Sequence, residues 1–320
     1  MIIFVMTGGH KYCPEEIEDM PGAPRFETWS YNKLFKAKAL PKASYIFTDF
    51  DRLDFWQTEL AAKTYRFLKS NGVRVFNDPA RALQRFALLK RLHAEGLNKF
   101  RVWDAAGDPL PDRYPIFLRT RHAHRGALSE LLHSREEAEA ELERLVEKGY
   151  GVQDLIFVEY CAQPLEDGLF RKLAAFRVGE DVFMTTAVHE SHWQAKYGEE
   201  GVASAEQYKE EYDMVKTNQF AAALRPAFEM AKVEFGRVDF SIVDGAPQVY
   251  EINTNPSISL IDDHPFEIRL ETDAIFNERF VRAFKTLDSP DSKGMLKVNH
   301  PDLEKQRKRD RFVVHHRWTP

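Results

Sequence analysis

Cysteine is scarce in this sequence: only Cys13 and Cys161 occur in 320 residues. That excludes a disulfide framework and a four-cysteine zinc site. Two thiols in a chain of this size fit a reducing cytoplasm. Long hydrophobic runs are also missing, and none approaches the roughly 18 residues of a membrane span. The run Met1–Met6 lacks a basic flank and is too short for a secretory signal. It reads instead as a buried strand ending at Gly8-Gly9. No charge of one sign dominates, since 45 Lys and Arg stand against 50 Asp and Glu for a net charge of −5. This balance argues against wholesale binding to nucleic acid or to a membrane surface. Gly8-Gly9 does not extend to G-x-G-x-x-G and no Walker sequence occurs, which removes the dinucleotide and P-loop readings. The pairs His122/His124 and His189/His192 do not match H-E-x-x-H and have no evident third ligand, so zinc is not assigned. His122 and His124 read as anion contacts or plain loop residues.

What is present is an ordinary globular composition, 43% hydrophobic and 30% charged, long enough for two or three domains. Met1–Met6, 43–48 and 73–76 read as strands, and 56–70 as a helix closed by Gly72. Strand, helix, strand in that order predicts a small parallel α/β unit. The stretch between the first two strands, rich in proline and charge, reads as a connection. A helix is predicted over 79–94 with Leu83, Phe86 and Ala87 buried, then strands near 100–103 and 115–118. A helix follows Ser134, which with Glu137 forms a predicted capping box, with Ala138, Leu142, Leu145 and Val146 inward. Strands are predicted at 155–158, 173–178 and 182–187, the last two as an antiparallel pair turning at Gly179. Residues 203–235 read as two helices broken near Asn218, and a final amphipathic helix spans about 271–287. The predicted division is 1–80, 81–157, 158–288 and a basic tail, 289–320.

The most informative stretch is Gly236–Ser259. Val238–Val243 alternates as a strand, Asp244-Gly245 is a strong hairpin turn, and Gln248–Ile252 returns. Glu251 and Asn253 are two residues apart and share a side, and Asp239 can face them. Two carboxylates and an amide oxygen on one face form a hard-oxygen site suited to Mg²⁺. Polar residues interleaved with so apolar a strand are costly without partners, which favours a metal site over a hairpin that simply faces water.

Gly-Arg-Val-Asp-Phe followed by Glu-Ile-Asn-Thr-Asn-Pro resembles the metal-binding end of the ATP-grasp superfamily, which includes D-alanine–D-alanine ligases and glutathione synthetase. The resemblance runs from about residue 75 to 285. It implies an α/β chain, α+β in the nucleotide domain, with a small parallel α/β domain at the N-terminus. By that resemblance Asp239, Glu251 and Asn253 hold two Mg²⁺ ions, or Mn²⁺, that bridge ATP phosphates. Arg237 stabilises the oxyanion of a tetrahedral intermediate. His189–Tyr197 is the loop over the phosphates, with Lys196 contacting the γ-phosphate. Backbone groups around Glu159, Tyr160 and Cys161 pair with adenine, Glu166 or Asp167 takes the ribose hydroxyls, and Arg171 and Lys172 lie near the phosphates.

The sequence departs from the family at several places. Arg85 and Arg119 stand where the family places lysines, and arginine is not a neutral replacement. The loop Thr120–Gly126 has one glycine but carries His122, His124, Arg121 and Arg125, so it would clamp phosphates by side chains. Ser257 stands where many relatives have glycine. The implied activity is ATP-dependent ligation of a small-molecule or peptide carboxylate to an amine, or to a thiol, through an acyl phosphate. The alternatives are a nucleotide-binding or regulatory protein that has lost turnover, and a phosphotransferase. A homo-oligomer is compatible with the resemblance. The tail, with Lys305-Gln-Arg-Lys-Arg-Asp-Arg, reads as a solvated or subunit-contacting arm whose Phe312, Val313, Val314 and Trp318 would dock on the body.

Overall fold

A computed structural model describes residues 1–122, 126–258, 260–289 and 294–305. His124, Arg125 and the tail beyond Lys305 lie outside the described residues. The N-terminal part runs β1 (Ile2–Met6), α1 (Tyr12–Glu18), β2 (Phe26–Ser30), α2 (Tyr31–Lys36), β3 (Ala39–Pro41), β4 (Ser44–Phe47), α3 (Phe55–Ser70) and β5 (Val75–Phe76). Its sheet is fully parallel in the order β2-β1-β4-β5. Asp54 caps α3 reciprocally with Gln57, satisfying two helix-end donors at once.

The residues 7–42, predicted as a bare connection, contain the edge strand β2, the short strand β3 and two helices. β2 reads Phe-Glu-Thr-Trp-Ser, too short and polar to signal itself, and it exists because β1 pairs with it along five residues.

The chain continues through α4 (Arg85–Ala94), β6 (Val102–Asp104), β7 (Ile116–Thr120), α5 (Arg135–Glu147) and β8 (Leu155–Glu159). An antiparallel sheet β6-β8-β7 packs on α5. α4 starts at Arg85, six residues later than predicted, and buries Arg85, Leu88, Leu89 and Leu92 while Ala87 is exposed. Ser134 caps α5 as predicted, but Glu137 accepts from His133 N rather than closing the box. Ala138 and Leu145 are buried in α5, whereas Val146 is exposed.

The third part runs β9 (Phe170–Val178), β10 (Asp181–Met184), β11 (Val188–Glu190), α6 (Ala205–Thr217), α7 (Ala221–Ala231), β12 (Phe235–Val243), β13 (Ala246–Asn253), α8 (Glu267–Leu287) and β14 (Met295–Lys297). The sheet order is β10-β9-β12-β13, with β11 on the other half of β9. Asn218, in the left-handed region at φ 55°, ends α6 and holds β10 by accepting from Met184 N and donating to Val182 O. Pro226 lies inside α7. The start of the tail is not an arm: β14 pairs with β3, and Val298 and Leu303 are buried in the N-terminal core. No helix among the described residues is long and apolar enough to cross a membrane.

One aromatic core joins the N-terminal sheet to β9, β12 and α8, with Phe4, Phe176, Phe235, Phe276, Phe280 and Phe284 all buried. Asn77, fully buried at φ 60°, fastens the same junction. Its amide donates to the carbonyls of Phe47 and Phe235 and accepts from the N–H groups of Glu234 and Phe235. Behind β11, buried Glu211 pairs with Arg269 of α8 and accepts from Ala187 N. His189 is buried beside them. Burial, then the Arg171 and Arg269 charges, push its pKa down to about 4.

Replacing Asn77 with alanine strands two carbonyls and two N–H groups and puts a Cβ residue without a local hydrogen bond in the left-handed region. A loss of at least about 3 kcal/mol is expected in denaturant unfolding. His189 titrates lower when folded than when unfolded, so the unfolded chain binds the extra proton and stability falls as pH drops from about 6.5 towards 4. Urea midpoints measured across that window should decline more steeply for the wild type than for His189→Gln.

Candidate functional site

A cleft of about 660 Å³ opens between the β6-β8-β7 sheet, the β9-β12-β13 sheet and the N-terminal part. That is within the range of small-molecule sites. Its floor is the hairpin β12–β13. Asp239 and Glu251 are directly opposed across the two strands, and Arg237 opposes Asn253. The register shifts between Asp239 and Phe240, next to the carboxylates, as bulges do where side chains are re-aimed. Gly236 is needed here because a Cβ on it would lie 2.6 Å from the Asn253 carbonyl oxygen. Asn98 clamps the far side of β13 by exchanging two hydrogen bonds with Val249.

Like charges directly opposite on neighbouring strands destabilise a sheet. Here cations from three other elements, together with Arg237 of β12 itself, compensate them. Arg237 grips Asp239 with Nε at 2.7 Å and Nη2 at 3.2 Å, and Lys172 Nζ stands 3.8 Å from the same carboxylate. Arg85 donates both Nε, at 3.0 Å, and Nη2 to Glu251 Oε2, and Arg119 Nη2 approaches that oxygen at 3.4 Å. Arg85 also donates to Thr120 O, which fixes the start of α4 against β7. Burial, then the neighbouring Arg85 charge, lower the Arg119 pKa to about 10, with Glu251 opposing. Burial works against the Arg237 charge too, but Asp239 outweighs it and the pKa is raised.

By donor chemistry this set fits a divalent cation. Two facing carboxylates and the Asn253 amide are hard oxygen donors. No third histidine, cysteine or carboxylate joins them to make a larger cluster among the described residues.

The structure brings most of the sequence-predicted residues to this cleft. Arg119, Glu159, Tyr160, Cys161, Arg171, Lys172, Lys196, Arg237, Asp239, Glu251 and Asn253 all line it. Arg85 reaches it through Glu251. Glu166 and Asp167 do not line it: both are exposed, and Asp167 is turned to Leu169 N and Gln207 Nε2. Glu159 is buried and held by Arg101 and Arg113. Arg171 pairs with Glu210. Cys161 is an apolar filler whose thiol is pushed up to about 11, first by burial and then by Glu159.

Several cleft features carried no sequence signal of their own. Trp193, in the loop after β11, packs against Phe117 of β7 at 4.9 Å and edge-on to Tyr160 at 5.7 Å between ring centres, making an aromatic wall. Tyr250 donates to Cys161 O. The same loop is stapled by Glu190 Oε1, which accepts from the N–H groups of Lys196, Tyr197 and Gly198 at 2.6–2.8 Å. Lys172 donates to Lys196 O. At the N-terminal end, buried Asp49 accepts from Thr7 N and Oγ1 and from Asn255 Nδ2, and its own N–H donates to Thr254 Oγ1. Glu16 lies nearby, its pKa raised to about 7 chiefly by burial, against the pull of a hydrogen bond at Ile258 and the Arg237 charge.

The sequence matches no protein-family model and no curated protein. Solved structures do match. The D-alanine–D-alanine ligase from Coxiella burnetii superposes with a TM-score of 0.52 at 11% identity, over 98% of this chain and 99% of that one. The VanG D-Ala:D-Ser ligase from Enterococcus faecalis gives 0.50 at 12% identity, over 89% and 98%. With its parallel N-terminal sheet, its two larger antiparallel sheets and the cleft between them, this chain has the ATP-grasp fold.

Proposed function

We propose that the chain is an ATP-dependent ligase that activates a carboxylate as an acyl phosphate for attack by an amine. The observation that carries this reading is the carboxylate pair of the hairpin floor, Asp239 buried and Glu251 partly so, faced by Arg85, Arg119, Lys172 and Arg237 in one cleft. Cations massed around hard-oxygen donors suit a polyphosphate and its metal. In this reading residues 1–80 form the N-terminal domain, 81–157 and 158–288 the two halves that hold the nucleotide, and 289–320 an extension.

Tyr160, Cys161, Phe117 and Trp193 hold the base, while Lys172, Arg171 and Lys196 face the phosphates. Asp239, Glu251 and Asn253 hold magnesium, which when bound neutralises charge on the transferring phosphoryl group. A substrate carboxylate oxygen bonds to the γ-phosphorus as ADP departs. The amine then adds to the acyl carbon, the oxyanion forms beside Arg237, and phosphate leaves with its bonding pair as the amide is made. Positioning supplies much of the rate, and this route needs no protein nucleophile. The substrates enter between the N-terminal part and Arg237, where Tyr12, Asp49 and Arg52 line the cleft.

A second reading, a nucleotide-binding protein without turnover, is favoured by the guanidinium grip on Glu251. A phosphotransferase is separated from a ligase by ADP release that needs no amine.

Calorimetry with a non-hydrolysable ATP analogue should show magnesium-dependent binding to the wild type. Glu251→Gln should weaken it by at least about tenfold, or 1.4 kcal/mol. Absence of any nucleotide binding to the wild type would sink both readings. Nucleotide addition should also change tryptophan emission, and Trp193→Phe should remove most of that change. Trp193→Ala should cost about 1–3 kcal/mol of nucleotide affinity if the base stacks there.

A further inference from the structure

We propose that Arg85 and Arg119 together take the place of one divalent ion, so that this cleft binds a nucleoside triphosphate with a single metal ion instead of two. The inference rests on the nucleotide reading above and goes beyond it.

Three N–H groups converge on one oxygen of Glu251. Arg85 supplies Nε and Nη2, and Arg119 supplies Nη2 at 3.4 Å. A carboxylate oxygen has about two lone-pair directions. Oε2 therefore already has as many donors as it can serve, and a carboxylate that bridges two metal ions needs both oxygens. The other oxygen, Oε1, faces Asn253, whose Nδ2 lies at 3.3 Å. Asp239, with the Asn253 amide oxygen, would hold the one ion that remains.

The grip is built into the fold. Arg85 is 9% exposed, is the first residue of α4 and is tied to Thr120 O. Arg119 comes from β7, between buried Leu118 and Thr120. A lysine at either place would offer a mobile point charge, whereas the planar guanidinium is permanently charged and matches a carboxylate edge.

The test is to count bound Mn²⁺ by electron paramagnetic resonance of the full chain with saturating non-hydrolysable ATP analogue, alongside calorimetric nucleotide stoichiometry. About one Mn²⁺ per nucleotide is expected for the wild type, rising towards two in the Arg85→Lys/Arg119→Lys double variant. Two ions in the wild type, or nucleotide bound with none, overturns the proposal while leaving the nucleotide reading intact. A folded double variant that stays at one overturns the assignment to these arginines. Failure of the wild type to bind the analogue overturns the nucleotide reading itself. If the double variant does not fold, the wild-type count decides.

Discussion

Two carboxylates held face to face at the bottom of a cleft are the constraint around which the surrounding parts are arranged. Asp239 and Glu251 occupy opposed positions on β12 and β13; β12 packs into the aromatic core, and both strands pack with β6 and β8 in a second core. The repulsion between them has to be offset by something. Each compensating cation comes from a different place in the chain: Arg85 from the start of α4, Arg119 from β7, Lys172 from β9 and Arg237 from β12 itself. The pairs made by Arg85 and Arg119 therefore tie the hairpin floor to α4 and to the β6-β8-β7 sheet. Removing one cation from such a group does more harm than the pair's net worth, because it strands a buried charge.

The hairpin was legible because its signals are local. Asp-Gly sets the turn, strict alternation sets the faces, and opposed positions follow from register alone. The parallel N-terminal sheet was legible for a related reason: β1 and β4 are short runs of wholly buried residues, and β4 is followed by a helix that caps itself. β2 was not, since Glu27 and Thr28 read as surface and the strand is defined by its partner. α4 was displaced because proline and alanine at 79–82 mimic a helix start. The backbone there is instead held by the Asp78 turn and by Leu83 N donating to Ala231 O. In each case the missing information is a contact distant in sequence.

The same distinction governs the site. The resemblance placed Arg85 and Arg119 by position, as groups aimed at phosphate. Their geometry follows from length and planarity, and both guanidiniums turn to Glu251. Asp167 shows the reverse. Its spacing from the hinge suits a ribose contact, yet the turn at Gly168 and the side chain of Gln207 direct its carboxylate away from the cleft. Spacing sets which residues come near the cleft, but hydrogen-bonding competition settles where each side chain points.

The loop after β11 carries this one step further. Three consecutive N–H groups, from Lys196 to Gly198, converge on Glu190 Oε1. Consecutive amides of this kind form a concavity suited to an anion, and the loop's own carboxylate fills it. The loop thus keeps its shape without a ligand, with Trp193 already against Phe117 and Tyr160 and Lys196 at the cleft wall. A loop that must order itself on binding loses affinity to that ordering, whereas a preformed one does not. Its internal staple therefore acts in the same direction as the arginines on Glu251. Both satisfy in advance, with groups of the chain itself, charges and donors that would otherwise be left for the ligand to satisfy.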